Sequence, residues 1–140
     1  MNLTESILED AALAWFKELD YAVAYGPYIA PGEPAAERES FGDTVLIGRL
    51  RSAVARLNPG IPAEAQEDAV RKVLRVATPS LIQTNRSFHR MLRDGVEVEY
   101  PRPDGSIAGD RVRLVDFETP SENDWLAVNQ FAVVEGQCRR

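Results

Sequence analysis

A chain of 140 residues that is 44% hydrophobic and 27% charged has the length of one domain, spanning 1–140, and enough apolar residues for a core, which excludes intrinsic disorder. Its net charge of −6 argues against strong autonomous binding to nucleic acid, because phosphate contacts are made mainly by Lys and Arg. One cysteine, Cys138, and one histidine exclude an internal disulfide and a zinc site, and neither a signal peptide nor a membrane span is present, which fits a cytoplasmic protein.

The first predicted element is a helix over 5–19. Leu8, Ala12, Trp15 and Leu19 share one stripe, with Phe16 beside it, and form the expected core face. Ser6 with Glu9 reads as a capping box, and so does Asn2 with Glu5, which leaves two possible starts. Asp20 stands where a helix often ends with glycine. Residues 22–42 carry three prolines and three glycines and read as a long loop, exposed over its acidic stretch 33–39.

A second helix is expected over 44–57, with Leu46, Leu50, Ala53 and Leu57 on one stripe. A third covers 63–77, with Pro62 in its first turn and Ala69, Val70, Val73 and Val76 apolar. The break at Thr78-Pro79-Ser80 leads into a fourth, over 80–93, which stops at Gly95 and places Leu81, Asn85, Phe88 and Leu92 on its buried stripe. Residues 96–100 alternate as a half-buried strand, and Arg102-Pro103-Asp104-Gly105-Ser106 is a turn. The last strands are expected at 111–117 and 125–134. Four N-terminal helices followed by an antiparallel β-meander make an α+β fold. The strand over 125–134 would leave an unpaired flank, and an open edge of that kind can pair with a partner or a second copy.

Chemical motifs are scarce. There is no Gly-x-Gly-x-x-Gly, no phosphate loop and no Gly-x-Ser-x-Gly elbow. His89, beside a core-facing Phe88, reads as structural or surface. Glu5 and Glu9, four residues apart, share one helix face. They read either as complements to the helix dipole or as carboxylates aimed at a metal-assisted site. In the second case Mg²⁺ needs further ligands from another element.

Charge is uneven: residues 1–70 hold 5 basic and 12 acidic side chains, residues 71–140 hold 11 and 10. Ten of those 11 are arginines, suited to bidentate phosphate contact but equally to a solvated surface. Arg111, Arg113, Arg139 and Arg140 are the DNA-contact candidates.

Several stretches together carry a family resemblance. They are Glu5-Ser6-Ile7-Leu8-Glu9 with Trp15, Glu37-Arg38-Glu39-Ser40-Phe41-Gly42-Asp43, Arg49-Leu50-Arg51, Leu57-Asn58-Pro59, Asn85-Arg86 and Phe88-His89-Arg90. Gly109-Asp110-Arg111-Val112-Arg113-Leu114 and Asp124-Trp125-Leu126-Ala127-Val128-Asn129-Gln130-Phe131 continue the order, through Glu135-Gly136-Gln137. In that order the chain resembles the N-terminal region of the restriction (R) subunit of type I restriction enzymes. The resemblance implies a restriction-endonuclease-like fold, here incomplete, of the PD-(D/E)xK type. It also implies DNA and the methyltransferase and specificity subunits as partners. Mg²⁺ and ATP are implied for the full-length subunit, and no cofactor for this chain alone. Glu5 is the first choice for a family carboxylate on the helix and Glu9 the second. The family pattern continues from Glu135-Gly136-Gln137 to a Pro-Asp and then a Glu-x-Lys, whereas this chain reads Cys138-Arg139-Arg140. The expectation is therefore a fragment of an endonuclease that is non-catalytic alone. The alternative is a non-catalytic interaction module that uses an exposed sheet edge.

Overall fold

The computed structural model describes residues 4–75 and 80–139, which fall into two compact units. Unit 1 comprises 1–47 and 124–140, and unit 2 comprises 48–123. The α+β class holds, with four α-helices among the described residues. The meander does not: the chain forms a two-stranded parallel pair and two antiparallel hairpins instead of one continuous sheet.

In unit 1, helix α1 spans Glu5–Glu18. The expected Ser6–Glu9 capping box does not form, and Asn2 of the other lies outside the described residues. Thr4 is the N-cap, and its hydroxyl accepts the Ile7 N–H at 3.4 Å. The helix ends as a Schellman motif: Tyr21 N–H bonds the Phe16 carbonyl and Asp20 N–H bonds the Lys17 carbonyl. Asp20 occupies the left-handed position, at φ 64°, where glycine is usual. The hydrophobic contact that accompanies this motif is Phe16 on Tyr21, with ring centroids 5.0 Å apart, and Tyr21 in turn packs on Trp125.

Most of the stripe expected to be buried on this helix is exposed instead: Trp15 is 68% and Leu19 67% accessible, and of its members only Ala12 turns inward. The inward face is Glu9, Ala12, Leu13 and Phe16, which also follows helical spacing. Two apolar stripes coexist on α1, and periodicity alone does not choose between them.

Within the segment read as loop lies a strand, β1 (Ala22–Tyr25), followed by a 3-10 turn over Gly26–Ile29. Strand β1 pairs in parallel with β4 (Leu126–Asn129), with Ala22 opposite Leu126 and Tyr25 opposite Asn129. The expected strand 125–134 is thus cut short at Asn129. Gln130 takes φ 52°, outside the β region, and ends it. A small hairpin, β5 (Val134–Glu135) with β6 (Cys138–Arg139), follows.

Unit 2 holds helices α2 (Ile47–Leu57), nearly all of it, α3 (Ala63–Leu74) and α4 (Leu81–Asp94), with the hairpin β2 (Val96–Pro101) and β3 (Ile107–Val112). Pro62 is the N-cap of α3 instead of a first-turn residue. Its predicted face is correct: Ala69, Val70 and Val73 are buried. The expected continuation through Val76 and the break at Thr78-Pro79 lie outside the described residues.

The second helix buries Val54, beside the half-buried Leu50, Ala53 and Leu57. Val96 and Val98 of β2 alternate inward as expected and meet α3, joined by Ala108 and Val112 of β3. The second expected strand begins at Ile107 instead of 111, because the turn closes so that Pro101 faces Ile107. In that turn the Asp104 carboxylate accepts the Ser106 N–H at 2.9 Å and its hydroxyl at 2.6 Å, and Gly105 supplies φ 84°.

Asn58 is the buried polar residue of this core. Its amide donates to the carbonyls of Val54 (2.8 Å) and Arg113 (2.9 Å), and its oxygen accepts the Arg113 N–H (2.7 Å). It pairs with Arg113 as a neighbouring strand would. Helix α4 stops at Gly95, φ 84°, as predicted, but it buries no residue. Leu81 is 74% accessible and Asn85 and Phe88 are exposed, so the expected buried stripe is not one.

Candidate functional site

The most developed polar cluster in unit 1 sits where α1 crosses the end of β4. Glu9 points along the inward face of α1, one turn before Ala12 and Leu13. Its carboxylate accepts a hydrogen bond from Gln130 Nε2 at 2.6 Å and a longer one, 3.5 Å, from Asn129 Nδ2. The three polar side chains stand at one end of an open cleft of about 560 Å³, whose remaining wall is apolar and includes Leu13, Phe16 and Leu126.

The backbone makes this geometry specific. A Cβ at Gly26 would run into the carbonyl oxygens of Asn129 and Gln130, so only glycine lets the chain leaving β1 pass the end of β4. Gln130, held at positive φ, then turns its amide back to Glu9.

A second device fixes the segment beyond Gln130. Arg38 is only 5% accessible, although it carries a charge. Its guanidinium donates to the Ala132 carbonyl (2.6 Å) and the Asp43 carbonyl (3.1 Å). It stacks 3.9 Å from the Phe131 ring centroid, with Phe41 at 5.3 Å. Its Nε is buried without a partner. The Asp43 carboxylate meanwhile accepts the backbone N–H groups of Glu39 and Ser40 and closes the 39–43 turn. Arg38 thus ties the loop before α2 to the stretch after β4. Among the described residues no carboxylate pairs with it; carbonyl oxygens and aromatic faces surround it instead.

Of the residues singled out from sequence, Glu5 lies exposed in the first turn of α1, where a carboxylate complements the helix dipole. Glu9 is the one turned toward the sheet. Arg111 pairs with Glu97 at 2.8 Å, and Arg113 lies 3.6 Å from Asp116, so both guanidiniums are engaged by carboxylates. Arg139 belongs to β6 and Arg140 lies outside the described residues. His89 is exposed on α4.

Sequence reasoning missed Asn129, Gln130 and Arg38 as site residues. An Asn-Gln pair ending an apolar strand was the available signal for the first two. For Arg38 it was an arginine followed three residues later by an aromatic ring.

The donor set at Glu9 does not by itself fit Mg²⁺. One carboxylate faces two amide N–H donors, and among the described residues no three His, Cys, Asp or Glu side chains converge. No helix among the described residues is long and apolar enough to cross a membrane.

A carboxylate-bearing helix laid on a small pair of strands, ahead of a short hairpin, is the arrangement these residues build. The sequence profile described as "Type I restriction enzyme R protein N terminus" matches residues 2–140, and the chain belongs to that family. It is 34% identical over 131 residues, 94% of its length, to the type I restriction enzyme HindI endonuclease subunit of Haemophilus influenzae. It is 31% identical over 127 residues, 91% of its length, to a protein of Methanocaldococcus jannaschii provisionally named the MjaIXP type I restriction enzyme endonuclease subunit. The chain spans 12% of the length of each of these curated relatives. No solved structure matches it.

Proposed function

We propose that these 140 residues are the front of a DNA-cleaving restriction subunit, supplying scaffold and one carboxylate, Glu9, to an active site completed by other residues. The observation that carries this reading is the position of Glu9. Of the two candidate carboxylates, Glu9 is the one that α1 turns onto the end of a strand, held there by Gln130 and Asn129. Its neighbour Glu5 lacks such a setting.

Within the chain, neither lysine, Lys17 nor Lys72, follows an acidic residue by two positions, so no Glu-x-Lys pair stands beside Glu9. The chain alone is therefore proposed to be non-catalytic. For the whole subunit Mg²⁺ and ATP are the proposed cofactors, with any Mg²⁺ ligands besides Glu9 coming from residues outside this cluster. DNA and the methyltransferase and specificity subunits are the proposed partners.

The test is cleavage of supercoiled plasmid. The 140-residue chain with Mg²⁺ is expected to leave the plasmid intact. The full-length subunit, assembled with its partner subunits and given ATP, is expected to cut it. Glu9→Ala should remove cutting and spare ATP hydrolysis. Nicking by the chain alone would refute the first half, and wild-type cutting by the Glu9→Ala subunit the second.

A second reading has one observation behind it. Among the described residues the β1–β4 sheet has two strands, so each of them has an edge not paired within it. Such an edge accepts an added strand from a partner or a second copy. A solution mass that stays monomeric at all concentrations would weigh against self-pairing.

A further inference from the structure

We propose, resting on the DNA-acting reading above, that the solvent face of α4 is a contact surface for the phosphate backbone of duplex DNA, with Arg86 and Arg90 as its principal donors. Four observations converge on this face. The run 81–93 contains no acidic residue, in a chain whose net charge is −6. Arg86, His89, Arg90 and Arg93 fall at i, i+3, i+4 and i+7, so they stand along one side of the helix, and all four are exposed.

The nearby carboxylate, Asp94, is taken by Arg93 through two bonds of 2.7 Å. Arg86 and Arg90 form no hydrogen bond or ion pair among the described residues; Arg90 acts on Asp94 only through space. They differ in this from Arg111 and Arg113, whose carboxylate partners would have to be displaced first.

The spacing suits the ligand. Four residues of helix advance about 6 Å. Two phosphate steps along one DNA strand advance about 7 Å along the duplex axis, so the two arginines match phosphates separated by one other. Each guanidinium is a planar fork that matches two phosphate oxygens, and leaving both unpaired in the free protein removes the cost of breaking an existing pair. His89, between them, adds a ring N–H donor. The contact carries no base information, so it fits a module that holds DNA without reading its sequence.

The experiment is fluorescence anisotropy of a labelled 24-base-pair duplex of arbitrary sequence, titrated with the 140-residue chain from 25 to 200 mM salt. The wild-type chain is expected to bind at low salt, with affinity falling steeply as salt rises. Arg86→Ala/Arg90→Ala should weaken binding at least ~10-fold and flatten the logarithmic salt slope by about 2, one unit per lost phosphate contact. Arg111→Ala/Arg113→Ala should change the affinity less than ~2-fold.

Unchanged affinity in the first variant overturns the proposal, as does an equal loss in the second. Absence of any binding at low salt overturns it too. So does loss of binding to phosphatidylserine vesicles, with DNA binding intact, in the Arg86/Arg90 variant. Circular dichroism checks that both variants fold, as expected for exposed side chains. The two readings fail separately, because the affinity is measured without cleavage and the cleavage test does not involve Arg86 or Arg90.

Discussion

Gln130 reaches back across the end of β4 and donates to Glu9 at 2.6 Å, joining the first helix of the chain to its last long strand. The bond is made at the surface by a residue whose backbone is itself in a left-handed conformation. Removing it should therefore touch function more than fold. Glu9→Ala is expected to change unfolding free energy by no more than about 1 kcal/mol, the ordinary net worth of such a hydrogen bond. Urea denaturation checks this, and a loss several times larger would mark Glu9 as a structural residue.

Gly26 is a sharper structural lever. Any Cβ there meets the carbonyls of Asn129 and Gln130, which are backbone and cannot swing aside. Gly26→Ala should cost about 2–3 kcal/mol by overpacking and displace the end of β4 from α1. Thermal melting reads the first effect. Amide shifts of Asn129 and Gln130 read the second, and an unperturbed spectrum would contradict the close approach.

Asp20 offers the opposite sign. It is a non-glycine residue at φ 64°, and its negative charge lies at the unfavourable end of the α1 dipole. Asp20→Gly is expected to stabilise by about 0.5–1 kcal/mol, relief of the left-handed cost outweighing the added freedom of the unfolded chain. A lower melting temperature in the variant would mean that Asp20 makes a contact that offsets its strain.

Asn58→Ala should be the most damaging single polar change in unit 2. It strands the buried N–H and C=O of Arg113 together with the Val54 carbonyl, and about 3 kcal/mol is the expected cost. Equilibrium unfolding measures it. A cost under 1 kcal/mol would indicate that water replaces the amide.

Acid should weaken the fold through four surface carboxylates. Arg51 holds Glu67 below its usual range, Lys72 holds Asp68, Arg93 holds Asp94, and the Ser106 hydroxyl holds Asp104. Each is depressed in the folded state, so its stabilisation is present above the unfolded pKa and disappears as pH falls through the folded one. The urea midpoint should be flat above about pH 5 and fall below about pH 4. Asp104→Ala should make that fall shallower. A midpoint that rises between pH 5 and pH 3 would reverse the sign and refute the assignment.

Local signals placed the helices and the turn of the hairpin. Gly95 stopped α4, Pro103-Asp104-Gly105 turned β2 into β3, and Ala69, Val70 and Val73 faced inward, because each depends on residues a few positions apart. What escaped was non-local. Strand β1 is four residues inside a proline- and glycine-rich stretch, and only its pairing with β4 makes it a strand. The inward face of α1 is chosen by that same pair, which selects Glu9 and Leu13 over Leu8 and Trp15. Arg38 looked like one charge in an acidic loop until Phe131 and Ala132 supplied its surroundings. Glu9 was legible as a candidate, while its partners were not.

The parallel pairing of Ala22 with Leu126 has a consequence for synthesis. The two strands are roughly a hundred residues apart, so joining them closes a large loop at an entropic cost that grows with its length. A ribosome delivers all of 48–123 before β4 exists. That uninterrupted stretch can condense while α1 and β1 wait without their partner strand. The Glu9 cluster would then be assembled last, once Gln130 has left the ribosome and can reach its carboxylate.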